Sequence, residues 1–256
     1  MPHPTLQQVW PAPAADLTPE RMTLEALRHE IDNLDEEMLA LFERRLALAD
    51  RVGRAKDAPA GPHLKLRPDR EADVLARLTG RAGPANREAV AAVWREVVGA
   101  GLARQTPLTV RIWAGANAVR VADGARRRFG ASAACLPASG AEAALAFADS
   151  GAGVAVLAVD PDQPWWVDLP RRWPDLWVFD ALAGARGPDQ PCALALGRID
   201  PQALARGRRI SVTAGGDAGE GPRRIGLATH HGWTLALLAE GGPPLDRAAG
   251  VVGTAP

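Results

Sequence analysis

From Leu24 onward the apolar positions fall at Leu24, Leu27, Ile31, Leu34, Met38, Leu41, Leu48 and Val52, in steps of three and four with one slot unfilled. That is the repeat of an amphipathic helix, and Thr23 stands where an N-cap belongs. The unfilled slot belongs to Arg45. Advancing about 100° per residue from Leu24 puts Leu27, Ile31 and Met38 at about 300°, 340° and 320°, Arg45 at about 300° and Lys56 at about 320°. Two cations therefore sit on the apolar stripe itself, with Arg28 at its edge, at about 40°. A charge on a buried face costs several kcal/mol unless it is paired. Each of these groups needs either a carboxylate of the protein or an anionic ligand.

A helix from Leu24 to Lys56 spans roughly 50 Å, more than a small domain is wide, so its stripe requires a partner helix. The expected partner is the same helix of a second copy. The segment Asp57 to Arg67 carries Pro59, Gly61 and Pro62 and reads as a loop. A second helix then opens at Pro68, in the favoured first-turn position, with Glu71, Val74, Leu75 and Leu78 on one face. A third, from about Asn86, turns Val90, Val93, Trp94, Val97, Val98, Gly101, Leu102 and Gln105 to one side. Gly99 and Gly101 should each weaken it by about 1 kcal/mol relative to Ala, unless they serve close packing or substrate approach.

After Pro107 the pattern changes to short apolar runs alternating with Ala-rich stretches, the mark of an α/β domain. Strands are expected at 108–114, 133–137, 153–159, 176–180, 192–198, 209–213 and 223–229. Helices are expected at 117–129, 140–150 and near 231–240. The organisation read from this is a Pro-rich arm over 1–22, an all-α three-helix domain over 23–106 and a C-terminal α/β domain over 107–256, with a loose tail from about Gly241.

Composition narrows the function classes. The 256 residues balance 30 basic against 30 acidic side chains, so no global positive field exists for nucleic acid. No apolar run approaches a membrane span, and MPHPTLQQVWPAPAADLTPE has neither the basic nor the apolar region of a signal peptide. Cys135 and Cys192 make no disulfide framework and no metal-ligand spacing, which fits a reducing cytoplasm. Among the 30 basic residues only Lys56 and Lys65 are lysines.

The three helices point Arg45, Lys56, Glu71 and Gln105 inward, with Arg28 at the stripe edge and Arg70 beside Glu71. Such a surplus of donors suits a small dianion, because guanidinia grip carboxylates bidentately. There is no Ser–His or Cys–His pairing, no metal cluster and no phosphate loop.

The run LEALRHEIDNLDEEMLALFERRLALADRVGRAK, then RPDRE, closed by Gln105, resembles the all-helical chorismate mutases over about residues 23–105. The combination LRxxIDxxD, RxxLAxxVGxxK and PxREadVL carries that resemblance. It implies an intertwined homodimer that rearranges chorismate to prephenate without cofactor or metal. Arg28, from the partner chain, and Arg45 would hold the two carboxylates of chorismate. Lys56 would contact a carboxylate and the ether oxygen, Gln105 the other side of that oxygen, Glu71 the ring hydroxyl, and Arg70 would be an accessory cation. Arg67 stands where the family often has an acidic residue, and Gly101 where a small hydroxyl residue is common.

The second half is similar to the first lobe of prephenate dehydratases, in ARRRFG and GAEAALAFADSGAGVAVLAVD. WAGANAVRVA stands in place of a GPxGTxS pattern, VLAVDPDQ in place of PIENS, and PCALALGR lacks the TRF motif. The expectation is a dehydratase-like domain without dehydratase chemistry. Two alternatives are a bifunctional mutase and dehydratase, and a non-catalytic regulatory binding protein. Trp165, Trp166, Trp173 and Trp177 either line an aromatic pocket or pack the core. His230 and His231 are either a site or a surface turn.

Overall fold

The computed structural model describes residues 23–55, 63–83, 86–184, 190–204, 208–214, 224–238 and 251–252. The expected arm, Lys56, the centre of the following loop and most of the tail lie outside these residues. The chain forms two compact units, Met1–Arg45 and Leu46–Pro256.

In the first unit the chain enters α1 (Leu24–Ala55). Thr23 caps it: its hydroxyl accepts the Ala26 N–H at 3.2 Å and its carbonyl the Leu27 N–H at 3.0 Å. Among the described residues the apolar stripe read from the sequence lies exposed. Leu24 is 64% exposed, Ile31 57%, Met38 62% and Leu41 61%.

The second unit holds the end of α1, then α2 (Pro68–Thr79) and α3 (Arg87–Gln105), which pack on each other. Pro68 lies in the first turn of α2 as expected, and Asp69 and Glu71 place negative charge at that helix's positive end. The α/β elements follow: β1 (Thr109–Trp113), α4 (Ala118–Phe129), β2 (Ala134–Pro137), α5 (Ala141–Asp149), β3 (Val154–Ala158), α6 (Leu169–Arg172), β4 (Trp177–Leu182) and β5 (Ala193–Gly197). The last four are β6 (Arg208–Ala214), β7 (Arg224–His230), β8 (Trp233–Leu238) and β9 (Val251–Val252).

Strands β1 to β5 make one sheet in the order β2-β1-β3-β5-β4. β1 runs parallel to β2 and β3, with α4 and α5 as the crossovers that parallel neighbours require. β5 runs antiparallel to both β3 and β4. Because side chains alternate along a strand, β3 sends Val154, Val156 and Ala158 to one core and Ala155 and Leu157 to the other. β5 does the same with Ala193 and Ala195 against Leu194 and Leu196. Burial on both faces explains why these strands read as unbroken apolar runs rather than alternating ones. The first core includes Val121, Ala125 and Phe129 of α4; the second includes Leu145 of α5 and Ile210, Leu235 and Leu237 of a second, antiparallel sheet, β7-β8-β6-β9.

One expected element differs. Residues 233–238 form β8, not a helix. His231 and Gly232 both have positive φ, 44° and 82°, and His230 pairs with Trp233, so the two residues between them form the tight turn that joins twisted antiparallel strands. The two histidines therefore sit at a hairpin, His230 closing β7 and His231 opening the turn, edge to face at 4.3 Å, with His230 Nδ1 3.0 Å from the Pro161 carbonyl. The tryptophans also divide. Trp165 and Trp166 are core residues, joined by Trp173 at the rim of the same cluster, while Trp177 packs on the opposite face of the sheet. Core packing is their use, and the Trp165 indole donates to the Ala158 carbonyl at 2.8 Å.

Candidate functional site

Within Met1–Arg45, Arg28 is exposed and Arg45 is half-buried. Burial holds the Arg45 guanidinium below its ordinary pKa, the expected direction for a cation moved out of water. Both lie on the unbroken helix α1, and a separation of 17 positions corresponds to roughly 25 Å of axial rise. One small molecule cannot touch both from the same helix. Lys56 lies outside the described residues.

Within Leu46–Pro256 the structure places Arg70 and Glu71 in the first turn of α2 and Gln105 at the last position of α3. Arg104 ties α3 to the end of α1 through a two-bond fork on Asp50, at 3.1 and 2.9 Å. Beside it Gly53 is buried, and a Cβ there would come within 3.2 Å of Gln105 Cγ and 3.3 Å of its Cα. The glycine of the VGxxK motif thus makes room for Gln105. The Gln105 amide donates through Nε2 to the Gly101 carbonyl at 3.2 Å, while its buried Oε1 has no partner among the described residues. An orphaned buried acceptor costs about 1–3 kcal/mol.

Arg67, at the family's acidic position, forms a fork with Asp69, Nε to Oδ1 at 3.0 Å and Nη2 to Oδ2 at 2.7 Å. The fork holds the Asp69 carboxyl below the usual range, chiefly through the Arg67 hydrogen bond. Arg70 is exposed. Glu71 is largely buried, its side chain 14% exposed, and the sequence did not reveal its partner: Arg128, at the end of α4, reaches Glu71 Oε2 with Nη1 at 2.8 Å. The same guanidinium binds Asp180 of β4 through Nε. Burial alone would lower the pKa of Arg128, but the attraction of Glu71 and Asp180 outweighs it and raises it. Glu71 opens onto a cleft of about 510 Å³ that Arg95, Arg128, Asp180 and Leu182 also line.

WAGANAVRVA begins at the end of β1, VLAVDPDQ runs on from β3, and PCALALGR includes β5. In PCALALGR, Arg198 is occupied by Asp149 and Asp175, each at 3.1 Å. Cys135 and Cys192 are unpaired, half-buried at the rim of one core, and burial raises both thiols.

Residues 27–106, the segment that carries the cationic stripe, the buried carboxylate and the terminal amide, match the family profile for chorismate mutase type II. The curated relatives include the bifunctional chorismate mutase/prephenate dehydratases of Pseudomonas aeruginosa and of Stutzerimonas stutzeri, each 40% identical over 91 residues, or 34% of this chain. The chain covers about a quarter of the length of these relatives, 25% in each case. No solved structure gives a significant match. Among the described residues no helix is long and apolar enough to cross a membrane.

Proposed function

We propose that this protein is a chorismate mutase: residues 23–106 act as a homodimer that converts chorismate to prephenate, and 107–256 form a dehydratase-like appendage. The observation that carries this reading is the match of residues 27–106 to the chorismate mutase type II family, with a chemically suitable side chain at Arg28, Arg45, Lys56, Arg70, Glu71 and Gln105. The bare stripe of α1 supports the dimer, since an apolar face of that length requires cover. An antiparallel copy would bring the partner's Arg28 back across the 25 Å or so that separate it from Arg45 along one helix. Unpaired, half-buried thiols suit a cytoplasmic setting.

The reaction is a [3,3] rearrangement that breaks one C–O bond and forms one C–C bond within a single molecule, so no nucleophile or cofactor is required. Arg28 and Arg45 bind the two carboxylates and hold the compact conformer in which the reacting carbons meet. Glu71 accepts the ring hydroxyl. As the C–O bond breaks, negative charge grows on the ether oxygen. Lys56 and Gln105 meet it from two sides, the ammonium as a compact charge and the amide through an N–H of Nε2.

A second reading, a bifunctional mutase and dehydratase, draws on the names of the relatives. One experiment separates them: incubate the full chain with chorismate, follow loss of its ultraviolet absorbance, and assay the product before acid treatment. Prephenate supports the mutase, phenylpyruvate the bifunctional enzyme, and unchanged chorismate overturns both. Lys56→Ala should lower turnover by orders of magnitude with the helical signal intact; a mild effect would remove Lys56 from the reaction.

A further inference from the structure

The residue that grips Glu71 belongs to the other half of the sequence. Arg128 is the third arginine of the ARRRFG run at the end of α4, and its side chain is 19% exposed. It lies between two carboxylates, Glu71 on α2 and Asp180 on β4, whose side chains are both 14% exposed. Asp180 is fixed in turn, because its Oδ1 accepts the Ala181 N–H at 2.8 Å. The guanidinium also lies over the Phe129 ring, 5.1 Å from its centre, and Phe129 packs edge-on against the buried Phe179 at 6.2 Å. The group is thus held on its flanks by two anions, by a ring and by the sheet core.

The approach of α4 to the mutase helices has its own cause. Gly99 of α3 lies so close to the end of α4 that a Cβ would stand 2.5 Å from the Phe129 carbonyl oxygen. Glu96, one turn earlier, accepts the Ala131 N–H at 2.8 Å. These two contacts hold the end of α4, which carries Arg128, against α3.

We propose that Arg128 is a positioning residue for Glu71, so that the α/β part of the chain completes the mutase site from behind. The inference rests on the reading of Glu71 as the ligand of the substrate's ring hydroxyl. Arg128 binds Oε2, and an ionised carboxylate has about four acceptor sites over its two oxygens, so Glu71 can accept a hydroxyl while held. An anchored carboxylate has fewer rotamers to lose when substrate arrives. Without Arg128, Glu71 and Asp180 would face each other as two largely buried anions and turn apart.

The test uses the full chain and chorismate. Arg128→Met should lower kcat/KM about 10- to 100-fold, the factor expected for loss of one charged hydrogen bond that orients a binding group. Its split between kcat and KM should match that of Glu71→Gln. In a Glu71→Gln background, Arg128→Met should add little. Arg128→Lys keeps the charge but not the two-pronged geometry and should recover part of the loss. It carries the test if the Met variant does not fold by circular dichroism. Wild-type kcat/KM in both Arg128 variants would overturn the proposal, as would a rise in activity, which would mean that Arg128 withholds Glu71 from substrate. Full additivity with Glu71→Gln would reduce Arg128 to a structural contact and also overturn it. If the wild-type chain leaves chorismate unchanged, the functional reading fails first, a result distinct from all of these.

Discussion

Gly99→Ala has opposite predicted signs depending on whether helix propensity or packing decides. Propensity alone predicts stabilisation of about 1 kcal/mol, because Gly99 lies inside α3. The structure predicts the reverse. The new Cβ would sit 2.5 Å from the Phe129 carbonyl oxygen, 3.3 Å from its carbon and 3.4 Å from Gly130 Cα, all backbone atoms that cannot swing aside. Overpacking of this kind costs about 1–3 kcal/mol. Set against the propensity gain, the net effect is a destabilisation of about 1 kcal/mol, equivalent to a Tm lower by about 2–4 °C for a chain of this size. Gly226→Ala is the control: nothing lies within 4 Å of its Cβ position, and in a strand the substitution should be neutral or slightly stabilising. Thermal unfolding followed by circular dichroism, with urea titration alongside, reads both variants. A Tm for Gly99→Ala above wild type would refute the close approach of α3 and α4.

Other outcomes follow from the charges and from the stripe. Asp50 and Asp69 have carboxyls held below their usual range by Arg104 and Arg67, so their contribution to stability is present above the unfolded carboxylate pKa of about 3.9 and is lost as pH falls through the lower folded value. Urea midpoints should therefore drop below about pH 4, and Asp69→Asn should flatten that drop; an unchanged slope would separate the fork from stability. Ile31→Asp places a charge on the bare stripe of α1 and should shift the gel-filtration mass from two chains towards one. A wild-type mass of one chain would contradict the dimer.

Much of this architecture is legible in the residues, for identifiable reasons. α1 could be read because its three-and-four repeat persists through many turns, and the same repeat exposed Arg45 as a cation on an apolar face. β3 and β5 could be read because burial on both faces leaves unbroken apolar runs. β8 could not: the run after Gly232 is apolar but for Thr234, so periodicity does not separate strand from helix, and the backbone turn at His231 and Gly232 decides it. Gly99 read as a weakness of α3 because its neighbour, the Phe129 carbonyl, belongs to another helix. Arg128 stands in the sequence as one of three consecutive arginines, in ARRRFG. Its role depends on Glu71 and on Asp180, 52 positions away, and no local pattern encodes such a pairing.

The central claim is that chorismate is rearranged in a site built from two chains. Co-expression of an Arg28→Ala chain with an Arg45→Ala chain tests it most directly. Each variant alone has two broken sites per dimer. In a mixed dimer one site receives an intact Arg45 from one chain and an intact Arg28 from the other, while the second site loses both. With random pairing about half the dimers are mixed, so about a quarter of wild-type chorismate turnover should return. Activity no higher than that of the separate variants would contradict the shared site.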